Sequence, residues 1–154
     1  MLQRIQTVYL LAATLLYFFM INHPVSRITV SEELILEMDV LKIDAVIGEG
    51  FTPVSVWPFT ALLIIVMALG VTALVLYKKR TLQMRICMFN IFLMLGLVAL
   101  IWFYTKFTVD GLEGDQTLFL WPIVVPFISA ILTYLAMKAI QKDDAIIKSY
   151  ERIR

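Results

Sequence analysis

The chain has 154 residues, of which 61% are hydrophobic and 16% charged, and its formal net charge is +1. Soluble globular domains have roughly 45–50% apolar and about 25% charged residues, so this composition is typical of a membrane protein. A net charge near zero argues against a nucleic-acid partner, and a single cysteine and a single histidine exclude disulfide frameworks and multi-histidine metal sites.

Four long stretches of the sequence carry no charged side chain. They are Ile5–Ser26, Val54–Tyr77, Ile86–Thr105 and Gln116–Met137. A helix rises about 1.5 Å per residue and needs about 20 residues to cross the hydrocarbon core, so each stretch is long enough. The stretches are apolar all round and therefore predict an all-α integral membrane protein with four transmembrane helices. The predicted helices span about residues 5–22, 57–77, 84–105 and 118–140.

The first stretch has one alternative interpretation, a secretory signal peptide, because Arg4 precedes an apolar segment. No small-x-small cleavage site follows this segment, and the apolar part from Val8 to Ile21 is long for a signal peptide. We therefore expect a helix that is retained in the mature protein and begins the topology.

The loop at 23–56 is the only predicted connection with room for structure outside the bilayer. Arg27–Val30 is rich in β-branched residues and Leu36–Val40 alternates apolar and polar side chains, which favours a short antiparallel β-hairpin. A helix that begins at Ser31 is the alternative, because apolar residues also recur there at helical spacing. The second outer loop, 106–115, is predicted to be short, with turns at its glycines.

The distribution of lysine and arginine predicts the orientation. Ten of the thirteen flank the chain ends and the loop between the second and third predicted helices, and three lie in the other two loops. The positive-inside rule then places both termini in the cytoplasm. Tryptophans support these boundaries, because all three fall at the predicted outer ends of helices, where amphipathic rings prefer to lie. They are Trp57, Trp102 and Trp121.

The C-terminal tail, 141–154, is predicted to continue the fourth helix into the cytoplasm. Ile146, Tyr150 and Ile153 share one apolar face of such a helix, and Asp143 falls within the same face. A carboxylate within an apolar face suits a polar protein partner better than lipid. We therefore expect the tail to dock on a protein through these four residues.

The predicted transmembrane helices contain no ionisable side chain, which argues against a proton-coupled transporter. Asn90 is the strongest candidate among the neutral polar residues, since its amide cannot be fully satisfied within its own helix and favours a bond across helices. Its less favoured role is contact with a solute. The hydroxyl-bearing residues of these helices are Thr14, Thr60, Thr72, Thr105, Ser129 and Thr133.

No catalytic, cofactor-binding or metal-binding constellation is predicted. His23 is the only histidine, so a serine–histidine–acid set has no other base to use, and no glycine-rich phosphate loop is present. A lone histidine near the outer surface is usually neither a sensor nor a ligand. Cys87 is predicted to be an inert, small apolar residue. We expect no enzymatic activity and no cofactor.

Both ends of the sequence are similar to a family of uncharacterised small membrane proteins. The matching segments are Met1–Thr7, Ala139–Asp144, Lys148–Ser149 and Arg152–Arg154. They resemble the ends of four-helix inner-membrane proteins from Bacteroidetes-type bacteria, although members of that family often carry aspartate and arginine near the positions of Tyr150 and Glu151. The resemblance implies an inner-membrane location and no known activity.

Two functions are compatible with this sequence. The first is a non-enzymatic accessory or scaffold subunit of an inner-membrane or envelope complex, in contact with membrane lipids and with a protein partner or further copies of itself. The alternative is a small oligomeric transporter or channel for a neutral solute, with a path lined by Asn90 and the hydroxyls. The absence of charge within the predicted spans favours the first.

Overall fold

A computed structural model of the protein describes residues 2–31, 34–48, 51–112 and 116–151, with side chains for all of these except 2–4, 31, 78, 112 and 146–151. The described chain forms four α-helices and five β-strands. The helices are α1 (Leu2–Ile21), α2 (Trp57–Val75), α3 (Arg80–Leu112) and α4 (Val125–Glu151). The strands are β1 (Ser26–Ser31), β2 (Leu34–Met38), β3 (Lys42–Ile47), β4 (Val54–Ser55) and β5 (Gln116–Phe119). Short 3₁₀ turns at Leu76–Lys78 and Trp121–Val124 follow α2 and precede α4.

The four helices alternate in direction and form a bundle. Each helix packs on two neighbours, α1 on α2 and α4, and α3 on the same two, so α1 and α3 lie diagonally opposite each other. Within the described residues, three spans are long and apolar enough to cross a membrane: Trp57–Val75, Arg80–Gly111 and Trp121–Ala145. The apolar part of α1 with described side chains, Ile5–Ile21, is shorter than these. We call the end of the bundle near Arg80 the basic end and the opposite end the sheet end.

The five strands form one antiparallel sheet in the order β4-β3-β2-β1-β5. β1 and β2 form the predicted hairpin, with Ser26 opposite Met38 and Ile28 opposite Leu36. The helical alternative for this segment is therefore wrong. The expectation of an all-α protein is also corrected, because the sheet is larger than a hairpin and includes residues from two separate loops.

Strand β5 replaces the predicted start of the fourth helix. The stretch from Gln116 is uncharged, and we expected a helix from about residue 118, but Gln116–Phe119 pairs antiparallel with β1. The main chain of β1 would otherwise have an open edge, and β5 satisfies its hydrogen-bonding groups. The amide of Leu120 then donates to the carbonyl of Val25 at 3.0 Å, and α4 begins at Val125.

Helix α3 is longer than predicted, because much of the expected outer loop at 106–115 continues it as far as Leu112. Ile101, Thr105 and Thr108 are buried and recur at helical spacing on the side of α3 that meets the sheet. The sheet gives this extension an apolar surface to cover, so the helix continues beyond Thr105, where we expected it to end.

The sheet and the bundle share one apolar core. The inner face of the sheet is fully buried at Ile28, Leu36, Met38 and Ile43, and these side chains pack with residues such as Ile101 of the bundle. Polar contacts also join the two parts. The hydroxyl groups of Ser26 and Thr105 lie 3.1 Å apart, and the Thr60 hydroxyl donates to the carbonyl of Val40. The sheet therefore cannot separate from the helices without exposing this core.

Candidate functional site

The interior of the bundle carries a cluster of neutral polar side chains midway along the helices. Asn90 on α3 is 2% exposed, and its Oδ1 has no hydrogen-bond partner in the described part of the protein. The side chain therefore does not face lipid. The structure assigns no protein donor from another helix to Oδ1, although we expected Asn90 to bond across helices.

Tyr17 on α1 is the second buried polar group of this cluster, with 1% exposure. Its hydroxyl lies near Ser129 of α4, but the contact lacks the geometry of a hydrogen bond, and no other described residue pairs with it. The hydroxyl of Ser129 donates instead to the carbonyl of Ala13 at 3.3 Å, which joins α4 to α1. No sequence pattern identifies Tyr17, because one tyrosine in an apolar stretch has no informative spacing.

Tyr17 and Asn90 both line one small cavity. It offers about 10 Å³ to the centre of a water-sized sphere and is lined by residues from all four helices. The polar groups of the lining include Thr14 and Thr133, whose hydroxyls donate to the carbonyls of Leu10 and Ser129, each at 2.8 Å. Both hydroxyl oxygens retain lone pairs that can accept a hydrogen bond.

Gly70 of α2 allows the helices to approach closely at this cavity. A Cβ at this position would lie 2.8 Å from the Thr14 hydroxyl oxygen, which is closer than such atoms come in real proteins. Glycine therefore permits the α1–α2 contact that brings Thr14 into the cluster.

The predicted hydroxyl residues fall into three groups. Ser129 and Thr133 are buried between helices, and Thr14 lines the cavity. Thr60 and Thr105 join the helices to the sheet. Thr72 is exposed and donates to the carbonyl of Ala68 at 2.7 Å within α2, so it has no place in the cluster.

The basic end of the bundle holds a second polar cluster around Asp143. Asp143 accepts a hydrogen bond from the Gln6 amide at 3.3 Å and lies 4.0 Å from a guanidinium nitrogen of Arg80. These contacts join α1, α3 and α4. Gln83 contributes a link to α2, because its amide donates to the carbonyl of Ala73 at 2.9 Å. Asp143 therefore has polar partners within its own chain, whereas we expected them on another protein.

The sequence offered a weak signal for this cluster. Gln6 and Gln83 are amides close to the ends of uncharged stretches, and both are buried in the structure. Amides at such positions are also typical of residues that contact lipid headgroups. The spacing of Gln6 and Gln83 along the chain does not reveal that they lie in one cluster. The predicted tail face also included Ile146, Tyr150 and Ile153. The structure does not describe the side chains of Ile146 and Tyr150, and Ile153 lies outside the described residues.

The outer face of the sheet is charged. Arg27 of β1 forms an ion pair with Glu37 of β2, and Lys42 of β3 forms one with Asp44 of the same strand. The Lys42 ammonium lowers the pKa of the Asp44 carboxyl, and the hydrogen bond to Asp44 raises the pKa of Lys42. Partial burial, followed by the negative charge of Glu37, raises the pKa of Asp39. This face suits contact with water.

A groove of about 400 Å³ lies between the turn from β2 to β3 and the adjoining ends of α1 and α2. Its floor is apolar, with Ile21, Leu63 and Ile64, and its rim carries Asp39 and Lys42. The groove is wide open to the surroundings. Apolar residues below charged groups are typical of a protein surface at the boundary between lipid tails and water.

His23 and Cys87, the remaining candidates for chemistry, each pack against other side chains. The ring of His23 packs edge-on against Trp121, with the ring centroids 5.1 Å apart. Cys87 is 1% exposed and packs among apolar side chains near the basic end. Within the described ranges, no three histidine, cysteine, aspartate or glutamate side chains come together in a way that could hold a metal ion.

The chain was compared with protein-family models and with curated proteins. A family model described as a domain of unknown function (DUF4293) matches residues 2–153, which is nearly the whole chain. The chain belongs to the DUF4293 family. The resemblance to an uncharacterised family is therefore confirmed. Comparison with curated proteins finds no relative of the chain.

Proposed function

We propose that this DUF4293 protein is a non-enzymatic accessory or scaffold subunit of a complex in a bacterial inner membrane. The observation that carries the proposal is the filled interior of the bundle. The cavity at its centre offers about 10 Å³ to the centre of a water-sized sphere, which is about enough for one water molecule and too small for a solute path. A partner would therefore bind to the outer surfaces of the bundle, within the membrane or at its two ends.

Four membrane crossings are part of this proposal. The apolar part of α1 with described side chains, Ile5–Ile21, is shorter than the other spans, but α1 makes extensive contacts with α4 and also packs on α2. Its outward side chains are large and apolar, with Val8 62% exposed, Leu15 51% and Phe18 61%. Water would contact this surface unfavourably, whereas lipid would cover it, so α1 belongs in the bilayer with its neighbours.

The orientation is proposed from charge, with the basic end in the cytoplasm and the sheet outside. A reporter enzyme that is active only outside the cytoplasm tests it. Fusion after Arg154 should give no activity, whereas insertion after Gly48, in the loop that follows β3, should give strong activity. The reverse pattern would overturn the orientation.

Two surfaces remain for a protein partner outside the bilayer. One is the far end of β3, where Val46 is 57% and Ile47 50% exposed, although both are large apolar residues. β4 is only two residues long and pairs with Lys42 and Ile43, so it does not extend to this end. The other surface is the apolar face that the sequence predicts for the tail, with Ile146, Tyr150 and Ile153, of which the first two lie within α4.

The experiment is purification in mild detergent, with identification of companions by mass spectrometry for matched variants. We expect V46S/I47S or I146S/Y150S to lose a companion that the wild type retains, while membrane insertion is unchanged. Leu11→Ser is the matched control, because Leu11 is exposed on α1 in the region that we assign to lipid. Equal recovery from all variants would contradict a scaffold role at these surfaces. Solute flux through liposomes that contain the purified protein alone would favour the channel instead.

A further inference from the structure

The two unpaired polar groups in the bundle interior belong to residues that line the same cavity. Oδ1 of Asn90 can only accept a hydrogen bond, and the hydroxyl of Tyr17 can donate one. Both side chains are more than nine-tenths buried, and neither atom has a partner in the described part of the protein. Buried polar atoms in native proteins are nearly always paired, with protein or with ordered water, so two such atoms beside one cavity require an explanation.

The cavity that both residues line has the size and polarity of a site for one water molecule. A water site needs roughly 10–15 Å³ of space for the water centre and two to four polar partners. The cavity provides about 10 Å³. Asn90 offers an acceptor, Tyr17 a donor, and the hydroxyl oxygens of Thr14 and Thr133 offer further acceptors.

A cation suits the site poorly. No charged side chain lines the cavity, and a bare charge in the middle of an apolar bundle is costly without a counter-charge. The four lining oxygens also all belong to neutral groups. A neutral molecule that both donates and accepts hydrogen bonds satisfies Asn90 and Tyr17 together, and water is the one that fits this volume.

We propose that the centre of the bundle binds one structural water molecule, which accepts from the Tyr17 hydroxyl and donates to Oδ1 of Asn90. The water joins α1 to α3, the diagonal pair that does not pack directly as neighbours. Its second donated bond goes to the hydroxyl oxygen of Thr14 or Thr133. The site does not depend on the proposed scaffold function, because it rests only on the interior of a single chain.

The sign of two stability changes tests this proposal. If a water satisfies the two groups, Tyr17→Phe and Asn90→Leu should each lower the melting temperature in detergent by about 2–4 °C, the shift typical for loss of one net hydrogen bond in a chain of this size. The double variant should lose less than the sum of the two single changes, because both act on the same water. If the groups are truly unpaired, removing either of them relieves a penalty, and the melting temperature should rise or stay constant, which would overturn the proposal.

Tyr134→Phe is the matched control for loss of a tyrosine hydroxyl. Tyr134 is on α4 and is 44% exposed at the surface of the bundle, away from the cavity. We expect the melting temperature of the Tyr134→Phe variant to match that of the wild type. A cation at the site would make wild-type stability depend on whether lithium, sodium or potassium is present at constant ionic strength, and such a dependence would also contradict the water site.

The wild-type protein permits a second measurement that needs no substitution. The sequence contains only two asparagines, Asn22 and Asn90, so labelling asparagine with ¹³C gives two side-chain amide signals. In a water-edited solid-state NMR spectrum, Asn22 is the internal reference, because it is exposed beyond the end of α1. Magnetisation from water should also reach Asn90, and Tyr17→Phe should weaken this transfer. A signal from Asn22 without one from Asn90 would exclude the water.

Discussion

The two ends of the bundle connect the helices by different means. At the sheet end, antiparallel strands provide main-chain hydrogen bonds, and the inner face of the sheet buries Ile28, Leu36 and Ile43 over the helices. At the basic end, single polar side chains such as Gln6 and Asp143 reach from one helix to the next. A sheet distributes its polar contacts over many residues, whereas the basic end concentrates them in a few side chains. The two ends should therefore respond differently to substitution.

The largest effect should come from the buried face of the sheet. Leu36→Ala removes a fully buried side chain, and the remaining cavity should lower the free energy of unfolding by about 3 kcal/mol. Val46→Ala, on the exposed part of β3, is the control and should change stability by less than about 0.5 kcal/mol. Denaturation in detergent measures both. Equal losses for the two variants would contradict burial of Leu36.

At the basic end, a single polar change should be nearly as damaging. Asp143→Leu leaves the Gln6 amide without its acceptor and the Arg80 guanidinium without its nearby carboxylate. The Arg80 side chain is 21% exposed, so we expect a loss of about 2 kcal/mol, which is less than for a fully buried pair.

The matched control for Asp143→Leu is Gln141→Leu, two residues earlier on α4 and exposed. It should leave the melting temperature unchanged. If both substitutions were silent, the polar contacts of Asp143 would not contribute to holding α4 against α1 and α3.

Loss of a single ion pair on the outer face of the sheet should have a much smaller effect. Arg27→Ala removes the pair with Glu37, and we expect a loss of no more than about 0.5 kcal/mol, because Arg27 remains half exposed to solvent. The loss should shrink further in high salt. Melting temperatures at low and high ionic strength measure it. A large effect that is independent of salt would mean that the sheet end also depends on a single polar contact.

The smallest effect should be the pH dependence contributed by Asp39. Its pKa is raised in the folded protein by burial and by Glu37, so the native state holds a proton more tightly than the unfolded chain does. The contribution of Asp39 to stability is therefore fully present below its unfolded pKa and declines as pH rises through the folded pKa.

Asp39→Asn should remove this decline and slightly raise the melting temperature at pH 7 relative to the wild type, with no such gain at pH 3. Asp44 opposes this trend in both proteins, because its pKa is lowered by Lys42 and its contribution falls as pH decreases. Comparing the variant with the wild type at each pH isolates Asp39. A lower melting temperature for Asp39→Asn at pH 7 would contradict the assigned direction of its pKa.

Local patterns in the sequence predicted those parts of the fold that depend on local properties. The length of an uncharged stretch decides whether a helix can cross a membrane, and this identified α2, α3 and α4 as candidate spans. Alternation within Leu36–Val40 predicted a strand, and β2 lies there as part of a hairpin. The helical tail was also predicted from spacing, and α4 continues to Glu151.

Asp143, Asn90 and β5 show what such patterns leave open. The sequence identified Asp143 as a carboxylate in need of a polar partner, but the partners, Gln6 and Arg80, lie far away in the sequence. Asn90 was identified by its amide, whereas Tyr17, which lines the same cavity, carried no signal. A site that is formed where four helices meet has no fixed spacing along the chain.

The sequence by itself determined the number of helices, the apolar stretches that form them and the segregation of lysine and arginine, because each depends on side chains that are close together in the chain. Only the tertiary structure decided that Gln116–Phe119 is a strand and that α3 continues to Leu112. Both segments take their conformation from β1, which is distant in sequence. The open edge of β1 supplies hydrogen-bonding groups to β5, and the sheet offers apolar surface to α3, so the stable conformation of each segment depends on its neighbour in space.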